Sequence, residues 1–173
     1  GNYIPEFYND KFAHRDADTV TVAIGQTSGN IDAQLAEGGI ITGRVTDESG
    51  NGIPNISVQI RDTTDYTFIW TGTDGSGYYT AQGGPTGNWL VFFQAPQSAN
   101  LVSEYYNDQV LQNSADLVSV TAGQTTSDIN AQLAVSGAIT GHVTNESGNG
   151  IYSVNAQVRD ANNNVLTGAS TDG

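Results

Sequence analysis

Residues 56–61 read Ile-Ser-Val-Gln-Ile-Arg and place an apolar side chain at every second position. Successive side chains of a β-strand point to opposite faces, so this pattern predicts a strand with one face in a core and the other in water. Residues 89–93 are apolar on both faces, which is typical of a central strand or of one whose outer face is covered. Turn residues separate these runs from others at 40–46, 68–73, 77–82, 117–121 and 126–134. The sequence therefore predicts an all-β, seven-stranded sandwich with almost no helix.

The chain repeats itself with a period of 98 residues and without a gap. Residues 6–10, Glu-Phe-Tyr-Asn-Asp, return at 104–108 as Glu-Tyr-Tyr-Asn-Asp, and roughly half of the overlapping positions are identical. On this period residues 38–135 form one complete repeat, 1–37 match the C-terminal part of a repeat, and 136–173 match the N-terminal part of another. A partial sandwich leaves apolar faces and strand edges bare. We therefore expect both partial copies to be completed by neighbouring chains or by the rest of a longer polymer.

Composition and charge restrict the classes of function. The formal net charge of −13 argues against nucleic acid as a partner, because phosphate binding needs clustered Lys and Arg. No stretch approaches the roughly 18 apolar residues that a membrane-spanning helix needs. An acidic, cysteine-free, glycine-rich β-protein fits an extracellular or cell-surface location.

Three motifs in the complete copy carry a family resemblance. They are Ile-Thr-Gly-Arg-Val-Thr-Asp at 41–47, Gly-Ile-Pro-Asn-Ile-Ser-Val at 52–58 and Thr-Asp-Gly-Ser-Gly-Tyr-Tyr at 73–79. In this order they resemble the carboxypeptidase regulatory-like domain, a transthyretin-like or Ig-like β-sandwich close to the Cna B-type repeats of bacterial surface proteins. The resemblance implies tandem accessory domains in secreted and surface proteins, without the zinc site of the peptidases beside which they occur. The following copy departs from the pattern at Tyr152, which stands where Pro54 does.

Catalytic and metal-binding patterns are sparse. The two histidines, His14 and His142, occupy different repeat positions, and no nucleophile motif or cysteine ligand accompanies them, so we expect no enzyme activity. The acidic loops make calcium a candidate cofactor, because hard cations bind carboxylate and loop carbonyl oxygens. The candidate ligands are Asp10, Asp16, Asp18, Asp108 and Asp116. The alternative is that these carboxylates hydrogen-bond the local backbone of their turns.

Aromatic residues supply the candidate interaction surface: Trp70, Tyr105 and Tyr106. Trp70 is replaced by Gly168 in the following copy, which predicts a rim or interface position, because losing a buried Trp would leave a costly cavity. The tyrosine pair is expected to fasten the long connection 94–116 onto the sandwich. Other aromatic side chains that could face a sugar ring are Tyr66, Tyr78, Tyr79 and Trp89, of which Trp89 is expected in the core. Two sequons, at Asn55 and Asn145, mark possible glycosylation sites beside turns.

These features favour a structural or adhesive repeat of an extracellular protein, assembled into a filament or stalk. Its partners would be copies of itself, joined head to tail or through strand edges. The alternative is a carbohydrate-binding accessory module of a secreted hydrolase or peptidase, with surface glycans as partners. Only residues 37–39 separate the last strand of one copy from the first of the next, which is too short for a flexible tether.

Overall fold

The computed structural model describes residues 1–63 and 67–172, and the described part of the chain is built from strands. Two three-residue 3₁₀ turns, His14–Asp16 and Gln112–Ser114, are the helical segments found there, and neither is long enough to cross a membrane. The strands are β1 (Gly39–Thr46), β2 (Ser57–Arg61), β3 (Thr67–Gly72), β4 (Tyr78–Gly84), β5 (Gly87–Gln94), β6 (Glu104–Tyr105), β7 (Val118–Val120), β8 (Thr125–Thr126), β9 (Ala131–Gln132), β10 (Asn155–Arg159) and β11 (Val165–Ser170). The all-β prediction is confirmed.

Two sheets enclose one hydrophobic core. In the first, β1 lies between β4 and the short strands β8 and β9; in the second the order is β3-β2-β5-β6, with β7 also paired to β5. The inward side chains of β2 and β5, among them Ile60 and Phe93, pack in one cluster with Ile41 of β1. Strand β5 is central in its sheet, and Tyr105 of β6 lies beside Phe92, as the apolar run at 89–93 predicts.

The last strand of the sandwich differs from the prediction of one continuous strand over 126–134. Strands β8 and β9 pair separately with β1, both in parallel. Between them Asp128 has a left-handed backbone with φ of 62°, which interrupts the ladder. The Asn130 side chain fills the interruption, because its Oδ1 accepts the Arg44 N–H at 2.8 Å. The prediction of an unbroken strand is therefore wrong, although the chain keeps one direction along β1.

The segment before the complete copy is joined to it by a small polar contact. The Asn2 side chain donates a hydrogen bond to the Gly38 carbonyl, and its Oδ1 accepts the Gly83 N–H at 2.8 Å. Ile4 is buried, and its N–H donates to the Ala36 carbonyl at 2.9 Å. The Gly38 N–H donates to the Asn2 carbonyl at 2.9 Å, and the Gly38 carbonyl accepts the Gly123 N–H at 3.1 Å. Backbone hydrogen bonds thus hold Gly38 to the preceding segment and to the complete copy.

The chain forms two compact units, Gly1–Ser136 and Gly137–Gly173. In the second, β10 and β11 form an antiparallel hairpin whose register, including its irregularity, reproduces that of β2 and β3 98 residues earlier. In the first, Asn9 and Asp10 adopt the same left-handed conformation as Asn107 and Asp108. In this hairpin and this turn the partial copies have the local structure of the complete one, whereas residues 138–143, which correspond to β1, form no strand. The domain limits at 37 and 135 stay a prediction from the repeat.

Candidate interaction surfaces

The outer face of the second sheet carries a row of aromatic and amide side chains. Alternation places Val58 and Ile60 of β2 in the core, so Gln59 between them points to the other side. The strand register sets Trp70 of β3 and Phe92 of β5 on either side of Gln59. We call Trp70, Gln59, Phe92 and Arg61 the outer row.

Hydrogen bonds fix the orientation of the outer row. Trp70 is 73% exposed, and its indole N–H donates to the Ser57 hydroxyl at 2.6 Å. Arg61 donates to Oε1 of Gln59, and its guanidinium lies 4.6 Å from the centre of the Phe92 ring. A flat, exposed indole beside polar groups that hydrogen bonds keep in place is suited to packing against a protein or a sugar ring. Trp70 thus lies at the surface, as its replacement by Gly168 predicts.

The two other candidate interaction residues lie in different surroundings. Tyr105 is buried, with its ring centre 4.7 Å from that of Phe92. Tyr106 packs against the core, and its N–H donates to the Val91 carbonyl at 2.8 Å. Both tyrosines fasten the crossing segment onto β5, and of the three candidate interaction residues Trp70 is the exposed one. Tyr66 lies outside the described residues.

The remaining aromatic residues considered for sugar contact divide between surface and interior. Tyr78 is exposed, and the Arg44 guanidinium lies 5.2 Å from the centre of its ring. Tyr79 is buried, donates its hydroxyl to the Ile129 carbonyl at 2.6 Å, and has its pKa raised by burial. Trp89 packs partly buried against the core, as predicted.

The acidic candidates for calcium are not assembled into one site. Asp18 accepts a hydrogen bond from Asn9 at 2.7 Å, and Asp116 accepts the equivalent bond from Asn107 at 2.6 Å. Asp10 and Asp108 take left-handed turn positions, and Asp16 lies near its neighbour Arg15. Within residues 1–63 and 67–172 no group of three or more His, Cys, Asp or Glu is close enough to hold a metal ion. The two Asn–Asp bonds each span nine residues, so Asp18 and Asp116 cross-link their own loops.

A similar local role is clear in the turn after β1. Asp47 Oδ1 accepts the N–H groups of Ser49 at 2.9 Å and Asn51 at 2.8 Å, while Oδ2 accepts the Asn51 side chain at 3.0 Å. These bonds, with that of the Asn51 side chain the strongest, lower the pKa of the Asp47 carboxyl. Asn145 closes the equivalent turn of the next copy in the same way.

Glu104 is a site that the sequence analysis did not single out. It is 6% exposed, and among the described residues its Oε1 has no hydrogen-bond partner. Burial first, and then the charge of Asp108, raise the pKa of its carboxyl to about 7, against an opposing hydrogen bond from the Gln132 backbone. Residues 104 and 105 fall within the long connection 94–116 of the sequence, and β6, which buries Glu104, is visible only in the fold.

Comparison with known proteins identifies the fold family. The model of the carboxypeptidase regulatory-like domain matches residues 40–134, which is more than half of the chain. The chain belongs to the carboxypeptidase regulatory-like domain family. The resemblance read from the motifs at 41–47, 52–58 and 73–79 is therefore confirmed. No curated protein matches the chain.

Three solved structures are similar to this regulatory-like chain at low sequence identity. Two are type II cohesin–X-dockerin complexes from Acetivibrio cellulolyticus, with TM-scores of 0.41 and 0.39 at 19% and 18% identity. They align over 57% and 54% of this chain and 58% and 53% of the other chain. The third is the Bacillus anthracis TIE protein, with a TM-score of 0.42, 12% identity, and coverage of 80% of this chain and 25% of that one. The regulatory-like chain thus spans less than two thirds of the length of these proteins.

The partial copies of the regulatory-like repeat expose side chains that the complete copy buries. Ile41 is 1% exposed, whereas Ile139, its equivalent, is 81% exposed. Leu133 is fully buried, whereas Leu35, its equivalent, is 44% exposed. Burying such a side chain stabilises a protein by about 1.5–3 kcal/mol, so Ile41 and Leu133 each add to the stability of the complete copy.

The two sequons of the regulatory-like chain lie at exposed turns. Asn55 has a left-handed backbone with φ of 61° just before β2. Asn145 uses its side-chain oxygen within the turn, accepting the N–H groups of Ser147 and Asn149. Each side-chain amide belongs to an exposed residue, so glycosylation of Asn55 and Asn145 stays a prediction.

Proposed function

We propose that this chain is a structural or adhesive repeat of an extracellular or cell-surface protein, which assembles into a filament or stalk of β-sandwich domains. The observation that carries the proposal is the 98-residue repeat, which returns the register of β2 and β3 in β10 and β11. It also returns the left-handed conformation of Asn9 and Asp10 at Asn107 and Asp108. Repetition in tandem multiplies length and valency, which suits a scaffold and gives no advantage to a single catalytic site.

The role is passive. No enzyme activity is proposed, because the family is that of a regulatory-like domain and the outer row and acidic turns contain no nucleophile paired with a base. The contacts of Asn2 with Gly38 and Gly83 support a restricted junction between successive copies. Such junctions would let an array bear load or hold a distal domain away from the cell.

The test is the assembly state of the native protein. Electron microscopy and light scattering over a range of protein concentrations are expected to reveal regular filaments and a rising mean mass. Ile139→Asp, which places a charge on the exposed apolar face, is expected to keep the fold and shift the distribution toward monomer. The matched control is Glu146→Gln, an exposed change in the following turn. A wild-type protein that stays monomeric at all concentrations would contradict the proposal.

One observation favours a second candidate, a carbohydrate-binding accessory module. Trp70 presents an exposed indole beside the amide of Gln59 on the outer row. Calorimetric titration with polysaccharides would give saturable binding that Trp70→Ala abolishes and Tyr78→Ala leaves in place. Absence of binding to cell-wall and plant polysaccharides would leave Trp70 as a protein contact and argue against this candidate.

A further inference from the structure

The end of β4 is the place where the complete copy meets the segment that precedes it. The Gly83 N–H donates to the Asn2 side-chain oxygen at 2.8 Å, and the Asn2 side-chain amide donates to the Gly38 carbonyl. The Gly38 N–H donates in return to the Asn2 carbonyl. One asparagine therefore binds both the connection between the copies and the end of β4.

The backbones at this contact approach too closely to admit side chains. A Cβ atom on Gly83 would lie 2.7 Å from the Tyr3 carbonyl oxygen, and Gly83 has a left-handed backbone with φ of 89°. A Cβ atom on Gly38 would lie 2.4 Å from the Gly83 Cα atom. Glycine is the residue that allows another backbone to approach so closely. The preceding segment therefore has little room to turn relative to β4.

The backbone that positions Asn2 is a feature of the repeat. The Ser136 N–H donates to the Asn100 carbonyl at 2.9 Å, as the Gly38 N–H donates to that of Asn2. An antiparallel bridge adjoins each of these bonds, at residues 3 and 37 and again at residues 101 and 135. The repeat therefore sets the place of the asparagine, and its side chain is then available to bind the next copy.

We propose that the end of β4 is a docking surface for the preceding copy, and that the Asn2 side chain holds the two copies in one orientation. The occupant is the preceding copy because residues 1–37 lie in one compact unit with the complete copy. A second contact joins them, since the Arg15 guanidinium lies 4.0 Å from the Asp62 carboxylate. The inference rests on the proposed function, because it describes how successive copies of a structural repeat meet. Such contacts between neighbours add to the stability of an array.

The first measurement is amide hydrogen exchange of the full chain, read by NMR. We expect the Gly83 amide to exchange at least about tenfold faster in Asn2→Ala, because its acceptor is lost, while the amides of β2 keep their protection. The matched control is Asn100→Ala, which removes the same side chain at the equivalent position and is expected to leave Gly83 protected. Equal exchange of the Gly83 amide in the wild type and in Asn2→Ala would overturn the junction.

A second measurement separates the close approach at Gly83 from the strain of its backbone. Gly83→Ala adds both a strained left-handed residue and a methyl group against the Tyr3 carbonyl. Gly50→Ala adds the strain alone, because Gly50 has φ of 80° and a Cβ atom there meets nothing within 4 Å. The readout is the NMR order parameter of the Tyr3 and Ile4 amides, which is about 0.85 for a rigid backbone and below about 0.6 for a flexible one.

We expect rigid values in the wild type and in Gly50→Ala, and flexible values in Gly83→Ala. The same values in both variants would overturn the docking surface. The proposed function is decided separately, by electron microscopy of the assembled protein. Filaments formed by a chain whose Gly83 amide is unprotected would overturn the junction alone, whereas a protected Gly83 amide in a chain that forms no filaments would support the junction and contradict the proposed function.

Discussion

At the scale of single residues, Glu104 is a buried carboxyl without a full set of partners. The pKa of its carboxyl rises from 4.5 to about 7 in the folded chain. Between these two pH values the folded state therefore keeps a proton that the unfolded state has released. By proton linkage this contribution to stability is fully present below pH 4.5 and is lost as pH rises through about 7. Above that pH the buried carboxylate is charged, which destabilises the folded state.

Glu104→Gln therefore tests the burial of this carboxyl. We expect the variant to gain stability relative to the wild type as pH rises from 4.5 to 7, by on the order of 3 kcal/mol in total, and no further gain above that range. Urea unfolding at a series of pH values measures the difference. The control is Glu48→Gln, which removes an exposed charge. A difference independent of pH would mean that Glu104 titrates normally.

The equivalent isoleucines give a second test at this scale. Ile41→Ala removes a fully packed side chain and is expected to lower the free energy of unfolding by about 2–5 kcal/mol. Ile139→Ala changes an exposed side chain and is expected to alter it by less than about 0.5 kcal/mol in dilute solution. Denaturant unfolding followed by tryptophan fluorescence compares the two. Equal losses would mean that residue 139 is already buried in the single chain.

At the scale of elements, the parallel pairing of β1 depends on the absence of a side chain at residue 43. Gly43→Ala would set a methyl group 2.0 Å from the Ile129 carbonyl oxygen and 3.0 Å from the Tyr79 ring. We expect a loss of about 3 kcal/mol, near the upper end of the cost of overpacking. Hydrogen exchange should reveal the amides of Ile129 and Leu133 exchanging faster, while those in β2 keep their protection. Uniform loss across both sheets would instead indicate global unfolding.

The same strands mark the limit of what the sequence predicts. Alternation at 56–61 and the apolar run at 89–93 predict β2 and the central place of β5, because burial on one or two faces is a local property of the pattern. The broken last strand could not be read from the pattern, because it depends on the backbone conformation of Asp128 and on the Asn130 side chain. The outer row could be found only from the register across β3, β2 and β5. The sequence predicted one exposed member of it, Trp70, from its replacement by Gly168.

The partial copies illustrate a related limit. The repeat predicted which residues correspond, so Ile139 could be paired with Ile41 from the sequence alone. The degree to which each is covered follows from contacts made by distant segments. The sequence could therefore predict that a face exists, and the fold was needed to find it exposed.

At the scale of the whole molecule, charge opposes any assembly of identical copies. Each chain carries a formal net charge of −13, and like charges repel over the Debye length. That length falls from about 30 Å at 0.01 M salt to about 8 Å at 0.15 M. A contact made of backbone hydrogen bonds and apolar side chains is not itself screened by salt.

Association should therefore strengthen as ionic strength rises. We expect the dissociation constant measured by sedimentation to fall by about an order of magnitude between 0.01 and 0.15 M sodium chloride, because screening removes the repulsion between copies. Calcium chloride at matched ionic strength serves as the comparison. An equal effect of the two salts assigns the change to screening, whereas a larger, saturable effect of calcium would assign a binding role to Asp10, Asp108 and their neighbours. Weaker association at higher salt would mean that charge pairs hold the copies together and would contradict an apolar contact.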